Sequence, residues 1–508
     1  MKKSSRVLVY HRQPYEEVVE NGRTVFRTNK SPNGIVPTLK SFFGRLEPGA
    51  GAWIAWKQHD PEVDPDFERV IHIDDVNGGY MVHRLPLTPQ QATSFYHVTS
   101  KEALWPVLHS FPRLFVYENA DWPVFHEVNR LFAEAAAEQA AEGALVWVHD
   151  YNLWLVPHYL RRLRPDVKIA FFHHTPFPAA DVFNVLPWRK EILESLLDCD
   201  LVGFHIPRYA RNFADLAIAT AGADIAATAD VPAHLNVPGQ ALSERTMPTK
   251  LKVADREVIV DVAPVGADMQ LIDTILDTEE NESLQEEILS SLEGRRLVVS
   301  VGRTDYTKGT IEALLAFERL IERRRELIGK IKMLCVSVRA NSAMTIYDET
   351  QREIEALVGR INGRFSLLSW TPVVLITRAI PFDRLIAHYR AADVCVTTPL
   401  RDGLNLVAKE YVAAKAGRPG ALVLSEFAGC AVELADAIYT NPYCGSDMDR
   451  AIDEALDMPM TERKARMERM GAAVSRYDIG YWIDHTFEQF GAIGFNPGGE
   501  NTLLAKAS

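Results

Sequence analysis

From residue 127 to residue 221 the chain switches repeatedly between two hydrophobic periods. "EVNRLFAEAAAEQAA" repeats its apolar positions at helical spacing, whereas "ALVWVHD" is a short apolar run that predicts a strand. The same reading gives helix for "NLWLVPHYLRRLR", strand for "VKIAFFHHT", helix for "WRKEILESLLDCD", strand for "LVGFHI" and helix for "RYARNFADLAIATA". Alternation of this kind predicts βαβ units, hence a parallel sheet with helices on both faces. The stretch 222–249 is rich in Ala, Pro and Thr, has no sustained period and predicts a surface loop or insertion. Alternation restarts at strand "RRLVVSVGR" and helix "TIEALLAFERLIERRREL", and runs on to strand "ALVLSEF". The fold class is therefore α/β, two Rossmann-like doubly wound domains in series, 1–266 and 267–480, with the boundary near Gly266. Two such domains are expected to turn the carboxyl ends of their strands toward each other across a cleft, where ligands of open α/β sheets bind. Strand ends are thus the places to look for chemistry.

Composition narrows the ligand. At 508 residues, 47% hydrophobic and 24% charged, the chain has the make-up of an ordinary globular protein. Its net charge of -13 argues against a general nucleic-acid binder, so any anionic ligand must be held by a few local cations. Five cysteines without CxxC spacing suit a reducing compartment. The basic prefix "MKKSSRVLVYHR" has too short an apolar run for a signal peptide, and nothing approaches the ~18 apolar residues of a membrane span. A cytoplasmic protein without a membrane partner is expected.

Four strand ends carry polar clusters. In "SVGRTDYTKG", Arg303 and Lys308 flank a strand-to-helix turn that ends in Gly309, an arrangement suited to a phosphate or diphosphate and equally readable as surface cations on a turn. In "PLRDGLNLVAKE", Asp402 can accept from sugar hydroxyls, the amides of Gly403, Leu404, Asn405 and Leu406 can donate to an anion, and Glu410 can accept from a ribose diol. The plainer reading there is an N-capping Asp and a solvated Glu. "WVHDYNL" and "FFHHTPFP" bring His149, Asp150, His173 and His174 near one another, either as a metal cluster, as a sugar-binding wall, or as satisfied core histidines. Near the amino terminus Arg12 follows the first strand, "KSPNGI" with Asn33 and Gly34 forms a turn able to approach a ligand through its backbone, and Tyr96 and Trp105 are candidates to line a small polar pocket or to belong to the core.

Together these stretches resemble the retaining glycosyltransferases of the trehalose-6-phosphate synthase family. The matching pieces, "WVHDYNLWLVPHYLR", "FFHHTPFP", "DLVGFHI", "SVGRTDYTKG", "GRINGRFSLLSWTP", "TPLRDGLNLVAKEYVAA" and "VLSEFAG", run in family order over nearly the whole chain. The resemblance implies the GT-B fold, with a helix at about 481–508 packing back on the first domain. "YHRQPYEE", "KSPNGIVPTLKSFF" and "FFHHTPFPAADVFNVLPWR" depart from the usual trehalose pattern and are similar to the branch that moves glucose from ADP-glucose to sn-glycerol 3-phosphate. It implies that Arg303 and Lys308 hold the donor diphosphate, Glu410 the ribose, and Asp402 with the following amides the glucosyl hydroxyls and diphosphate. Asn33 and Gly34 fall on the donor side, His174 on the transferred glucose and Asp150 where donor and acceptor meet. Arg12, Tyr96 and Trp105 fall on the acceptor side. An Arg of the trehalose enzymes on the acceptor phosphate is replaced here by Asn341, with Arg339 close by to substitute. The implied partners are a nucleotide sugar, a small phosphorylated acceptor and a separate phosphatase for the product, with homo-oligomerisation compatible. No cofactor is required, and Mg²⁺ acts at most as a stimulant.

Overall fold

The computed structural model describes residues 3–495, apart from 21–22, 29–33, 44–45, 47–50, 61, 63–66, 76–77 and 340–344. Asn33 and Asn341 lie outside the described residues. The chain divides into two compact units, the first built from residues up to Val231, Arg245–Pro264 and the residues from Trp482 on, the second from Pro232–Glu244 and Val265–Tyr481.

The first unit holds a ten-stranded sheet. Its middle is parallel, in the order Arg256–Val262, Leu201–Phe204, Lys168–His173, Ala140–His149, Ser4–Val9, Gly51–Gln58 and Gly78–Leu87. Strands buried on both faces read as unbroken apolar runs, as "LVWV" at 145–148 does. Antiparallel strands close both edges: Val70–Asp75 at one, Thr246–Val253 followed by Asp224–Asp230 at the other. Asp224–Asp230 corrects the expectation of a loop over 222–249. "DIAATAD" is exposed at nearly every position, so no apolar alternation marks it, and it is held by its ladder alone. The last residues of 222–249 open the strand Thr246–Val253, and Pro232–Glu244 between the two strands groups with the second unit.

Between the sheet and helix Trp122–Gln139 the chain forms a π-helix over Thr93–Leu104, twelve residues long. The carboxy-terminal helix Ile479–Ala492 enters the first unit at Trp482, whose buried indole N–H donates to the Ala263 carbonyl at 3.1 Å. Phe490 packs edge-on against Phe42 and Trp147.

The second unit is a six-stranded, all-parallel sheet in the order Val373–Ile376, Ile331–Val338, Arg296–Arg303, Val394–Thr397, Ala421–Ser425 and Ile438–Thr440. Helix Thr310–Arg323 puts Leu314, Phe317, Leu320 and Ile321 into its core, the three-to-four spacing that marks one helix face. Among the described residues no helix is long and apolar enough to cross a membrane.

Candidate active site

In the second unit the strand Arg296–Arg303 ends in a turn that reverses through Lys308 into helix Thr310–Arg323. Asp305 ties the turn by accepting from the Thr307 amide at 3.0 Å and the Thr307 hydroxyl at 2.9 Å. Gly309 follows with φ +65°, and a Cβ there would lie 1.8 Å from the Thr398 carbonyl oxygen. Only glycine fits so close a passage in that conformation. The turn brings the Lys308 ammonium to 2.7 Å from the Asp402 carboxylate, 94 positions away in sequence. The Arg303 guanidinium, half exposed, lies 3.7 Å from Asp305.

Asp402 does not cap the next helix. Asn405 does, with φ +80° and its side-chain oxygen accepting from the Ala408 amide at 3.1 Å, while its amide N–H donates to Asp402 at 3.1 Å. Asp402 thereby faces Lys308 and Asn405 together. The loop Gly403–Leu404 is clamped by the Gly429 and Cys430 amides, which donate to the Asp402 and Leu404 carbonyls. A Cβ on Gly429 would stand 2.1 Å from the Gly403 oxygen. Leu406 opens helix Leu406–Ala414, and Glu410 within it is buried rather than solvated. Burial pushes its carboxyl up to about 8. Next to it, Lys409 forms a buried ion pair with Glu433 and donates to the Val265 carbonyl at 2.8 Å.

In the first unit, Asp150 follows the strand Ala140–His149 with φ 70° and ψ 162°, a region that is essentially glycine's alone. Its carboxylate accepts from the His174 amide and the Thr175 hydroxyl, each at 3.3 Å. Burial pushes the carboxyl up to about 6, with Lys101 among the groups that pull the other way. His149 Nδ1 and His174 Nε2 share one hydrogen bond at 3.1 Å, and burial holds both rings well below the usual histidine range. His173 turns away, its Nδ1–H donating to the Thr175 carbonyl at 2.9 Å. Among the described residues no group of three or more His, Cys, Asp or Glu is arranged to hold a metal ion.

Asp150 has a measurable signature. Its carboxyl loses a proton near 3.8 when unfolded and near 6 when folded, so the folded state is favoured below about pH 4 and loses up to about 3 kcal/mol of that advantage above pH 6. Asp150→Asn is therefore expected to melt higher than the native protein at pH 7.5, with the gain vanishing toward pH 4. Asp150→Gly adds relief of backbone strain. Calorimetry across that pH range checks the sign.

Arg12 lies just past the strand Ser4–Val9, its carbonyl accepting from the Trp53 indole N–H at 2.9 Å and its guanidinium donating to the Tyr96 hydroxyl at 2.9 Å. Tyr96 and Trp105 sit on the π-helix and just past it, and Trp105 is buried. Gly34, at φ +108°, precedes helix Ile35–Phe43. The structure thus joins Arg12 to Tyr96, Asp150 to His174, and Lys308 to Asp402. It adds Lys101, with its ammonium 3.8 Å from the Trp105 ring centroid, and His11, buried between Tyr10 and Tyr96. The only sequence signal for Lys101 is its place four residues before Trp105.

Residues 4–492 match the model of glycosyltransferase family 20. The glucosylglycerol-phosphate synthase of Synechocystis sp. is 53% identical over 486 residues, covering 96% of this chain and 97% of that protein. An alpha,alpha-trehalose-phosphate synthase (UDP-forming) from Burkholderia xenovorans, solved in complex with glucose-6-phosphate, is similar at TM-score 0.80 and 29% identity, over 96% of this chain and 99% of that one. A trehalose-6-phosphate structure from E. coli bound with UDP-2-fluoro glucose gives TM-score 0.80 at 27% identity, over 95% and 98%.

Proposed function

This chain belongs to glycosyltransferase family 20, and on that premise we propose that it transfers glucose, with retention, from ADP-glucose to sn-glycerol 3-phosphate. The products are 2-O-(α-D-glucopyranosyl)-glycerol 3-phosphate, a step toward a compatible solute, and ADP. The observation that carries this reading is the 53% identity to a glucosylglycerol-phosphate synthase along almost the full length, against 29% for the trehalose-phosphate synthase holding glucose-6-phosphate.

Each unit carries side chains suited to such a reaction. The acceptor C2 hydroxyl oxygen bonds to glucose C1 on the face from which the diphosphate leaves, the C1–O bond to phosphate breaks, and the hydroxyl proton passes to the departing phosphate oxygen. No covalent enzyme intermediate is needed, so the protein orients substrates and stabilises charge. Arg303 and Lys308 take the charge growing on the diphosphate. Asp402 orients Lys308 and, with the amides of Gly403 to Leu406, meets the glucosyl hydroxyls and the diphosphate; Gly34 approaches the donor through its backbone. Glu410 accepts from the ribose diol. On the other unit His174, held neutral, bonds the transferred glucose, Asp150 receives a hydroxyl where glucose meets acceptor, and Arg12, Tyr96 and Trp105 take the acceptor.

The reading needs no metal, with Mg²⁺ acting only by pairing with free nucleotide. Treatment with EDTA is expected to leave most of the ADP release in place; complete loss, restored by a transition metal, contradicts that. The reaction is placed in the cytoplasm, with a separate phosphatase acting on the product.

The deciding experiment is a matrix of ADP-, UDP- and GDP-glucose against glycerol 3-phosphate and glucose 6-phosphate, with released nucleotide measured and the sugar product identified. ADP-glucose with glycerol 3-phosphate should be the fastest pair. Efficient synthesis of trehalose 6-phosphate with glycerol 3-phosphate untouched would overturn the acceptor assignment and leave the family as it is.

A further inference from the structure

We infer that Lys101 is the second cation on the acceptor's phosphate, paired in that task with Arg12. The inference rests on the acceptor-side reading above.

A phosphate monoester carries close to two negative charges near neutral pH. Arg12 brings one positive charge to the Tyr96 hydroxyl at 2.9 Å. The Lys101 ammonium stands 5.8 Å from the centroid of the same Tyr96 ring and 3.8 Å from that of Trp105, so the two cations flank one aromatic wall. The contact with Trp105 is a cation–π pair that holds the ammonium over the indole face.

Two further observations describe the space beside that wall. The buried His11 ring touches Tyr96, and neither of its nitrogens has a hydrogen-bond partner within the protein. Burial, then Arg12, then Lys101 hold that ring neutral, which places it in the field of both cations. The Lys101 charge is also felt at Asp150. A cation that shares the Tyr96 ring with Arg12 and whose charge is felt at Asp150 fits an acceptor whose reacting hydroxyl and phosphate are on neighbouring carbons, as in glycerol 3-phosphate.

The π-helix is what makes the wall. Tyr96 and Lys101 are five positions apart and Lys101 and Trp105 four. In an α-helix a five-residue step turns the two side chains well apart, whereas i→i+5 winding brings them to one face. The Trp105 amide donates to the Ser100 carbonyl, and the Ser100 hydroxyl to the Phe95 carbonyl, both five residues back.

The test is steady-state kinetics on the full chain, native, Lys101→Gln and Lys101→Arg, with each substrate varied in turn and with inorganic phosphate as inhibitor against the acceptor. For Lys101→Gln the acceptor KM should rise about tenfold or more, as loss of a charge-assisted contact implies. The inhibition constant of inorganic phosphate should rise in parallel, the KM for ADP-glucose should stay within about twofold of native, a range below the effect of one such contact, and kcat should fall less than the acceptor KM rises. Lys101→Arg should restore much of the loss. An acceptor KM and a phosphate inhibition constant both unchanged in Lys101→Gln overturn the inference, as does a KM rise shared by both substrates. Should Lys101→Gln fold poorly, Lys101→Met, which keeps the aliphatic stem on Trp105, gives the same reading. A native enzyme inactive with glycerol 3-phosphate sinks the acceptor assignment instead, and is seen before any variant is made; the same comparison with glucose 6-phosphate then decides Lys101.

Discussion

Arg303→Ala and Lys308→Ala are each expected to lower turnover by about 10²–10³-fold, the usual cost of removing one preorganised donor from developing oxyanion charge. The fold should survive both changes. Arg303 is half exposed. Lys308 is less exposed, but when it is cut back Asp402 still accepts from the Asn405 amide at 3.1 Å, and the turn keeps Asp305 and Gly309. The two variants should differ in donor binding, since Lys308 has its partner already in place at 2.7 Å while Arg303 has a longer, more exposed contact. Initial rates of ADP release, with a thermal melt beside them, check both points. Native-like turnover in either variant removes that residue from the diphosphate.

Arg12→Ala should be nearly as severe, but on the acceptor side. The guanidinium is a fixed fork able to grip a phosphate with two parallel donors. Its position is set twice, by the indole of Trp53 on its backbone carbonyl and by the hydroxyl of Tyr96 on its head. Removing it should raise the glycerol 3-phosphate KM by about 10²-fold or leave the enzyme unsaturable, since a contact to a charged group is worth about 1.5–3 kcal/mol. The ADP-glucose KM should hardly move. Arg12→Lys should recover only part of the loss, because a point charge cannot bond Tyr96 and bridge two phosphate oxygens at once. An unchanged acceptor KM in Arg12→Ala would place the phosphate elsewhere.

Much of the second unit's site could be read from sequence because it lies at strand-to-helix turns, where the period changes and glycines mark close passage. Gly309 and Lys308 are an example, and their loop is seated against the strand end at Thr398 as such turns are. The plainer alternatives for the next loop fail for reasons invisible in one dimension. Asn405 takes the left-handed conformation and the cap, and Glu410 faces inward from a helix buried at most of its positions. On the first unit, pattern reading places Asp150, His149 and His174 near one another, but the positive φ of Asp150 is imposed by its surroundings. Strand Asp224–Asp230 escapes notice because it buries almost nothing. Lys101 escapes because the helix that carries it is wound at a period that a search for 3.6-residue repeats does not contain.

That winding also bears on how such an acceptor site could diverge. Twelve residues of π-helix hold Tyr96, Lys101 and the following Trp105 in a relation set by residue count as much as by residue type. Letting the segment relax to α-helix at constant length would carry Lys101 to about 140° from Tyr96, whereas deleting one residue between them would return the pair to one face at i→i+4 spacing. The wall therefore depends on winding and residue count together, and an alignment that spreads gaps freely over this segment would conceal a change in either.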